Sequence, residues 1–187
     1  EINKMPFSDR LFVCNCLYTT ILNDTNNFTN SNTDRDVFIF ASKLVNLGVR
    51  PNEQYRNFFL NHSPEEMRYI GETLSTIELH YQRKILIMHS TLAMSKENNI
   101  DPESIMNATR WVQGVTGIEV IIYLREEKER VYKISLRSDT IDVNRIAVRY
   151  KGGGHKQAAG CYFYGTREEA ENKLLKDVIS ALEIRNR

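Results

Sequence analysis

Gly152-Gly153-Gly154-His155-Lys156-Gln157-Ala158-Ala159-Gly160 holds four of the chain's nine glycines. Three glycines in a row can take backbone angles closed to other residues, and they leave no side chain in the path of a ligand. An imidazole and an ammonium follow at once, at His155 and Lys156. A bare backbone rich in N–H donors beside two such groups suits an anion such as phosphate. The alternative is a flexible loop that joins two elements. The residues on either side bear on the choice.

Just upstream, Val131 to Arg137 reads as a strand. Val131, Lys133, Ser135 and Arg137 share one face, and Tyr132, Ile134 and Leu136 share the other. One face is therefore apolar and the other ends in an arginine. Ile118 to Arg125 predicts a partner strand, joined to it by the charged turn Glu126-Glu127-Lys128-Glu129. Asp142 can cap a short helix that contains Val143, Ile146, Ala147 and Tyr150. After the glycines, Cys161 to Tyr164 reads as a strand. Thr166 and Glu169 form a capping box for a last helix with Ala170, Leu174, Val178 and Leu182 as its buried line. The order strand, helix, glycine turn, strand can bring Arg137 beside the glycines. An arginine there would pair with a phosphate through two parallel N–H donors, and glycine N–H groups would complete the cradle. His155 would either donate to a phosphoryl oxygen or bond the local backbone.

The first half reads as helical. Ser8 or Asp9 can cap a helix to about Leu22, with Leu11, Cys14, Tyr18 and Ile21 at helical spacing and Phe12 and Leu22 widening the apolar face. The polar run Asn23 to Thr33 follows. A second helix from Thr33 or Asp34 ends at Gly48, with Val37, Ala41 and Leu44 as its stripe. A short helix through Tyr55, Phe58 and Phe59 comes next. Ser63-Pro64-Glu65-Glu66 is a strong helix start. Met67, Ile70, Leu74, Ile77 and Tyr81 then make one narrow stripe. This fits either a connecting helix reaching Arg83 or an ordinary core helix. Lys84 to Thr91 predicts a strand, and Asp101-Pro102 opens a helix to about Gln113.

At 187 residues the chain holds one domain or two small ones, and 41% apolar content supports a core. A formal net charge of +1 excludes a global basic field of the kind that binds long nucleic acid nonspecifically. Recognition of an anion must therefore be local. Cys14, Cys16 and Cys161 are too few and too badly spaced for a disulfide framework; buried thiols and a reducing cytoplasm are the expectation. No apolar run approaches the length of a membrane span, and no signal peptide is visible. Asp24 leaves the first helix into a polar loop. It is either a cap or turn former, or a carboxylate ligand for a hard divalent ion such as Mn²⁺ or Mg²⁺. His62, His80 and His89 are widely spaced and read as structural.

The glycine stretch, with Lys133-Ile134-Ser135-Leu136-Arg137-Ser138 and Ile141-Asp142-Val143-Asn144-Arg145-Ile146-Ala147 before it, resembles the DHHA1 domain of DHH-type phosphoesterases. Leu17-Tyr18-Thr19-Thr20-Ile21-Leu22-Asn23-Asp24-Thr25-Asn26-Asn27-Phe28, continuing through Ser31-Asn32-Thr33, resembles the last motif of their catalytic DHH domain. The pattern is most similar to the small-oligonucleotide and pAp phosphatases called nano-RNases; RecJ-like exonucleases and cyclic dinucleotide phosphodiesterases are relatives. The resemblance implies an α/β architecture. Residues 1–61 would be the helical tail of a DHH catalytic domain, 62–83 a connecting helix, and 84–187 a small mixed sheet with helices that binds substrate. It further implies two Mn²⁺ ions that activate water, with Asp24 as one metal ligand. Arg137, Ser138, Gly152, Gly153, Gly154, His155 and Lys156 would hold a nucleotide or short oligonucleotide substrate. The Asp-His-His motif that names the family is absent from this sequence. The numbering begins at Glu1 and not at a methionine, so the expectation is the C-terminal part of a cytoplasmic hydrolase, inactive alone. Its first helix would lack a sheet to pack on, leaving the apolar face to fray or to be buried in a homodimer. Two other readings stay open: a stand-alone module that binds nucleotide phosphate without hydrolysis, and an RNA-binding accessory domain.

Overall fold

A computed structural model describes residues 5–30, 32–102 and 108–185. The chain divides into two compact units, Glu1–His62 and Ser63–Arg187.

The first unit carries three helices: α1 (Phe7–Asp24), α2 (Arg35–Asn46) and α3 (Pro51–Phe59). Their shared core is Cys14, Tyr18, Leu22, Ala41, Leu44, Val49 and Phe59. Asp34 caps α2, accepting from the N–H groups of Asp36 and Val37, as the sequence predicts. Gly48 follows α2 at φ +108°, the left-handed region that a helix exit uses. The start of α1 differs from expectation. The helix begins at Phe7 behind Pro6, and neither Ser8 nor Asp9 caps it. Two apolar side chains also differ. Phe12 is 70% exposed and Phe38 is 56% exposed, although Phe38 stacks on Phe28 with ring centroids 5.3 Å apart. Cys16 is exposed, so only Cys14 of the C-x-C pair is a buried thiol.

The second unit is a six-stranded mixed sheet with helices on its faces. Its strands are β1 (Glu78–His80), β2 (Ile85–Ser90), β3 (Val120–Lys128), β4 (Val131–Arg137), β5 (Gly153–Gly154) and β6 (Ala158–Tyr164), in the order β1-β2-β3-β4-β6-β5. Its helices are α4 (Pro64–Ser75), α5 (Leu92–Glu97), α6 (Val143–Arg149) and α7 (Arg167–Arg185). Only β2 and β3 pair in parallel. Parallel pairing requires a crossover of a dozen or more residues. That crossover contains α5, which the sequence reading missed, and a 3-10 turn at Ala108–Val112. The helix expected from Asp101 to Gln113 falls partly outside the described residues; where described, it is this 3-10 turn. Glu126 to Lys128 continue β3 past a bulge, so the hairpin turns at Glu129 and Arg130.

The sheet is covered unevenly. One face packs on α6 and α7 through Ile122, Leu124, Ile134, Leu136, Leu174 and Val178 among others. The opposite face packs on α4 and the 3-10 turn through Leu86, Met88, Ile121, Tyr123, Tyr69 and Ile70. Strands β2 and β3 are buried on both sides, so they read as unbroken apolar runs. Strands β4 and β6 alternate buried and solvent-facing residues. The second face is thus uncovered at the β4–β6–β5 end of the sheet.

The helix expected to reach Arg83 stops at Ser75. Thr76 ends it: its hydroxyl accepts the His89 N–H at 2.9 Å and lies 2.7 Å from the Thr73 carbonyl, stitching the helix end to β2. Ile77 and Tyr81 lie beyond the helix, and Tyr81, Gln82 and Arg83 turn back with φ of +45°, +55° and +64°. The start of α4 is the predicted capping box. The Ser63 hydroxyl accepts from the Glu66 N–H at 3.1 Å, and the Glu66 carboxylate accepts from the Ser63 N–H at 2.8 Å. Ser63→Ala is expected to lower stability by about 1 kcal/mol, read as a shift in urea midpoint.

Candidate functional site

Register decides what stands on the uncovered face. Arg137 pairs with Ala158, Ser135 with Gly160, and Lys133 with Tyr162 across β4 and β6. Gly160 pairs in turn with Gly153 of β5. Residues paired in an antiparallel ladder point to the same side. Ile134, Leu136, Ala159 and Cys161 enter the core, so Lys133, Ser135, Arg137, Gly160 and Tyr162 take the other side. The central row, Ser135–Gly160–Gly153, is almost bare backbone. Neighbouring rows on one face lie about 6.6–6.8 Å away on either side. Arg137 walls the trough on one side; Lys133 and Tyr162 wall it on the other.

The glycines divide into two kinds. A Cβ on Gly152 would lie 2.1 Å from the Gly160 carbonyl oxygen and 2.5 Å from the Cys161 Cβ. One on Gly154, at φ +146°, would lie 2.5 Å from the Ala158 oxygen. One on Gly160 would lie 2.9 Å from the Ile134 oxygen. These three are glycine because backbone packs against backbone. Gly153 differs: a Cβ there would meet nothing within 4 Å. Its missing side chain leaves the trough floor open and relieves no clash.

His155 and Ala158 exchange backbone hydrogen bonds of 2.8 and 3.2 Å around a tight turn at Lys156 and Gln157. His155 therefore extends the Arg137–Ala158 row, and its imidazole is exposed. The turn is pinned from behind. The Lys156 carbonyl accepts from the Val143 N–H at 2.9 Å, and the Gln157 carbonyl accepts from the Ser138 N–H at 3.0 Å. The Asp142 side chain caps α6 as the sequence predicts, accepting from Asn144 and Arg145.

The structure thus brings Arg137, Gly153, His155 and Lys156 to one corner of the sheet. Ser138 is there in a different capacity. It is 6% exposed, and its hydroxyl donates to the Glu119 carbonyl at 2.8 Å while accepting from the Thr140 and Ile141 N–H groups at 3.0 and 3.1 Å. That hydroxyl is saturated inside the protein, so Ser138 shapes the loop after β4 and offers no bond to a ligand. Arg137 donates to the Leu136 carbonyl at 2.9 Å and is half-buried; burial lowers its pKa from the usual arginine range, although a guanidinium stays charged. Cys161 lies below the floor with its thiol pushed up to about 11 by burial, which makes it inert. Lys133, Ser135 and Tyr162 were missed as site residues. The alternation of β4 was legible, but their place opposite Gly160 depends on register.

The trough is part of a groove of about 880 Å³ that continues along β6. Five cationic side chains line it: Lys133, Arg137, Arg149, Lys151 and Lys173. Arg149 is neutralised by Asp177, with N–O 2.8 Å, and Asp177 also accepts from the Tyr150 hydroxyl at 2.8 Å. The local field is positive in a chain whose net charge is near zero.

Asp24 belongs to the first unit, where it is the exposed last residue of α1. Its backbone carbonyl accepts from the side-chain amides of Asn30 and Asn32 at 3.2 and 3.1 Å, and Asn23 donates to its carboxylate at 3.4 Å. Asn26, Asn27 and Phe28 follow with φ of +46°, +58° and +63°, three consecutive left-handed residues that are not glycine. Among the described residues no group of three or more His, Cys, Asp or Glu side chains is placed to hold a metal ion. The residues described here therefore do not make a two-metal site by themselves. No described helix is long and apolar enough to cross a membrane.

Comparison with known proteins adds independent findings. The family profile described as DHHA1 domain matches residues 86–183. A Thermus thermophilus protein named bifunctional oligoribonuclease and PAP phosphatase NrnA is 31% identical over 167 residues, covering 86% of this chain and 48% of that protein. A Streptococcus mutans protein named probable bifunctional oligoribonuclease and PAP phosphatase NrnA is 24% identical, covering 90% of this chain and 53% of that protein. The chain spans about half the length of the curated relatives it matches. Among solved structures, an exopolyphosphatase-related protein from Bacteroides fragilis superposes with a TM-score of 0.83 at 28% identity, covering 93% of this chain and 52% of that one.

Proposed function

We infer, from the premise that this chain belongs to the DHHA1 domain family, that its trough seats a phosphate of a nucleotide or short oligonucleotide presented for phosphoester hydrolysis. The observation that carries the reading is the bare Ser135–Gly160–Gly153 row with Arg137 and His155 along one side and Lys133 along the other. A phosphate can approach the backbone closely there, and charge-assisted bonds from guanidinium and imidazole can hold it. The names of the relatives agree in chemistry: oligoribonuclease, PAP phosphatase and exopolyphosphatase all concern phosphoryl linkages. In this reading Arg137, Gly153, His155 and Lys156 contact substrate, while Gly152, Gly154 and Ser138 hold them in place.

The metal-dependent half of the reaction is not assigned to these residues. Asp24 is proposed as a single carboxylate ligand to Mn²⁺. Its setting supports a role beyond the helix. An acid at a helix C-terminus opposes the macrodipole, and consecutive left-handed residues are strain of the kind found beside functional groups. One carboxylate does not make a two-metal site. The chain is therefore proposed to bind substrate and to be unable to hydrolyse it alone.

Calorimetric titration with 5′-AMP and with adenosine tests the binding. AMP is expected to bind weakly and adenosine not at all; equal affinity for the two would overturn the phosphate seat. Incubation of the purified chain with pAp and Mn²⁺ is expected to release no phosphate, and robust turnover would overturn the assignment of a binding role alone.

A further inference from the structure

The groove outruns the trough. Strand β5 is two residues long and pairs only with Ala159 and Gly160. Alongside Cys161 to Tyr164 no strand covers the outer side of β6 among the described residues. Here the groove is lined by two exposed aromatics, Tyr162 at 42% and Tyr164 at 76% exposure. Lys133, Lys151 and Lys173 surround them. None of these three lysines has an ion-pair partner among the described residues, in contrast to Arg149. Lys173 lies over the Phe163 ring with its ammonium 5.3 Å from the centroid. Three uncompensated cations gathered on one groove repel one another until a polyanion is bound. The volume of about 880 Å³ is near the upper end of the roughly 300–1,000 Å³ typical of small-molecule sites. A single phosphate seat leaves much of it unused.

Exposed aromatic faces beside a cationic groove are how single-stranded nucleic acid is held without base readout: bases stack and lysines follow the backbone. We propose that the β6 edge, from Tyr162 and Tyr164 to Lys151 and Lys173, is a second seat that takes the next nucleotides of a single-stranded oligonucleotide. This rests on the reading of the trough as a phosphate seat and adds chain length to it. Affinity then rises with the number of nucleotides, because each added unit reaches another ring or another ammonium.

The test is titration of the full 187-residue chain with 5′-AMP and with a 5′-phosphorylated pentaadenylate RNA, by calorimetry at several NaCl concentrations. The pentanucleotide is expected to bind at least about tenfold more tightly than AMP. Tyr164→Ser and Lys173→Glu, both at exposed positions, are expected to remove most of that gain and leave AMP affinity unchanged. Lys173→Glu should also reduce the slope of log affinity against log salt by about 0.7, the value for one single-strand phosphate contact. If AMP binds but the pentanucleotide binds no better, the second seat is overturned and the phosphate seat stands. If the pentanucleotide gain survives both substitutions, the seat is overturned and the uncovered edge is left for pairing with a peptide strand. If AMP does not bind, both readings fall.

Discussion

Gly152→Ala is expected to destabilise the second unit by about 3 kcal/mol or more, at or beyond the top of the usual range for overpacking. The added methyl would lie 2.1 Å from the Gly160 carbonyl oxygen and 2.5 Å from the Cys161 Cβ. Neither can rotate away. Gly160 and Cys161 are held in the ladder with β4, opposite Ser135 and Ile134. Relief would require β5 and the end of α6 to separate from β6, which would open the core at Cys161 and Ile146. A domain has only about 5–15 kcal/mol of stability, so the loss should be plain in a urea midpoint. Gly153→Ala is the control one residue along. Its methyl would meet nothing within 4 Å, so stability should stay within about 0.5 kcal/mol of the parent. That methyl would nevertheless stand on the trough floor and should abolish AMP binding. Equal stability losses in the two variants would contradict the division of the glycines into packing and approach.

Arg137→Ala should weaken AMP binding by about 1.5–3 kcal/mol, roughly ten- to a hundredfold, as expected for loss of a hydrogen bond to a charged group. Arg137 ends β4 in the row that Ala158 and His155 continue, so its guanidinium and the imidazole of His155 address the same side of the trough. Arg137→Lys separates charge from shape. A lysine keeps the charge without the planar fork, and it should recover only part of the loss. Affinity within twofold of the parent for both variants would remove Arg137 from the site. The measurement is calorimetric, paired with a thermal melt to show that each variant is folded.

Much of the fold was legible because its signals are local. The caps at Asp34, Ser63, Asp142 and Thr166 each depend on residues no more than three apart, and all four stand in the structure. The buried line of α7, Ala170, Leu174, Val178 and Leu182, follows from helical period alone. Errors arose where a distant contact overrode the local pattern. Ile77 and Tyr81 continue the α4 stripe in sequence, but Thr76 bonds to the backbone of His89, thirteen residues on, and ends the helix. Ser138 reads as a hydroxyl beside an arginine. Its bonds to Glu119, nineteen residues away, and to the loop behind it consume that hydroxyl. In the first unit, helical period placed Phe12 on the apolar face, yet that side chain is 70% exposed.

The glycine stretch shows the same boundary within nine residues. Its composition alone determined that backbone would be laid bare beside an imidazole and an ammonium, and its pattern pointed to the family. Composition treats Gly152, Gly153 and Gly154 alike, because a glycine's freedom is a property of the residue. Only the tertiary structure decided that Gly152 and Gly154 make room for β6 while Gly153 makes room for a ligand. The physical reason is that the space a Cβ would occupy is set by the strand lying across from it. The register of that strand is fixed by the packing of Ile134, Leu136, Ala159 and Cys161 into the shared core.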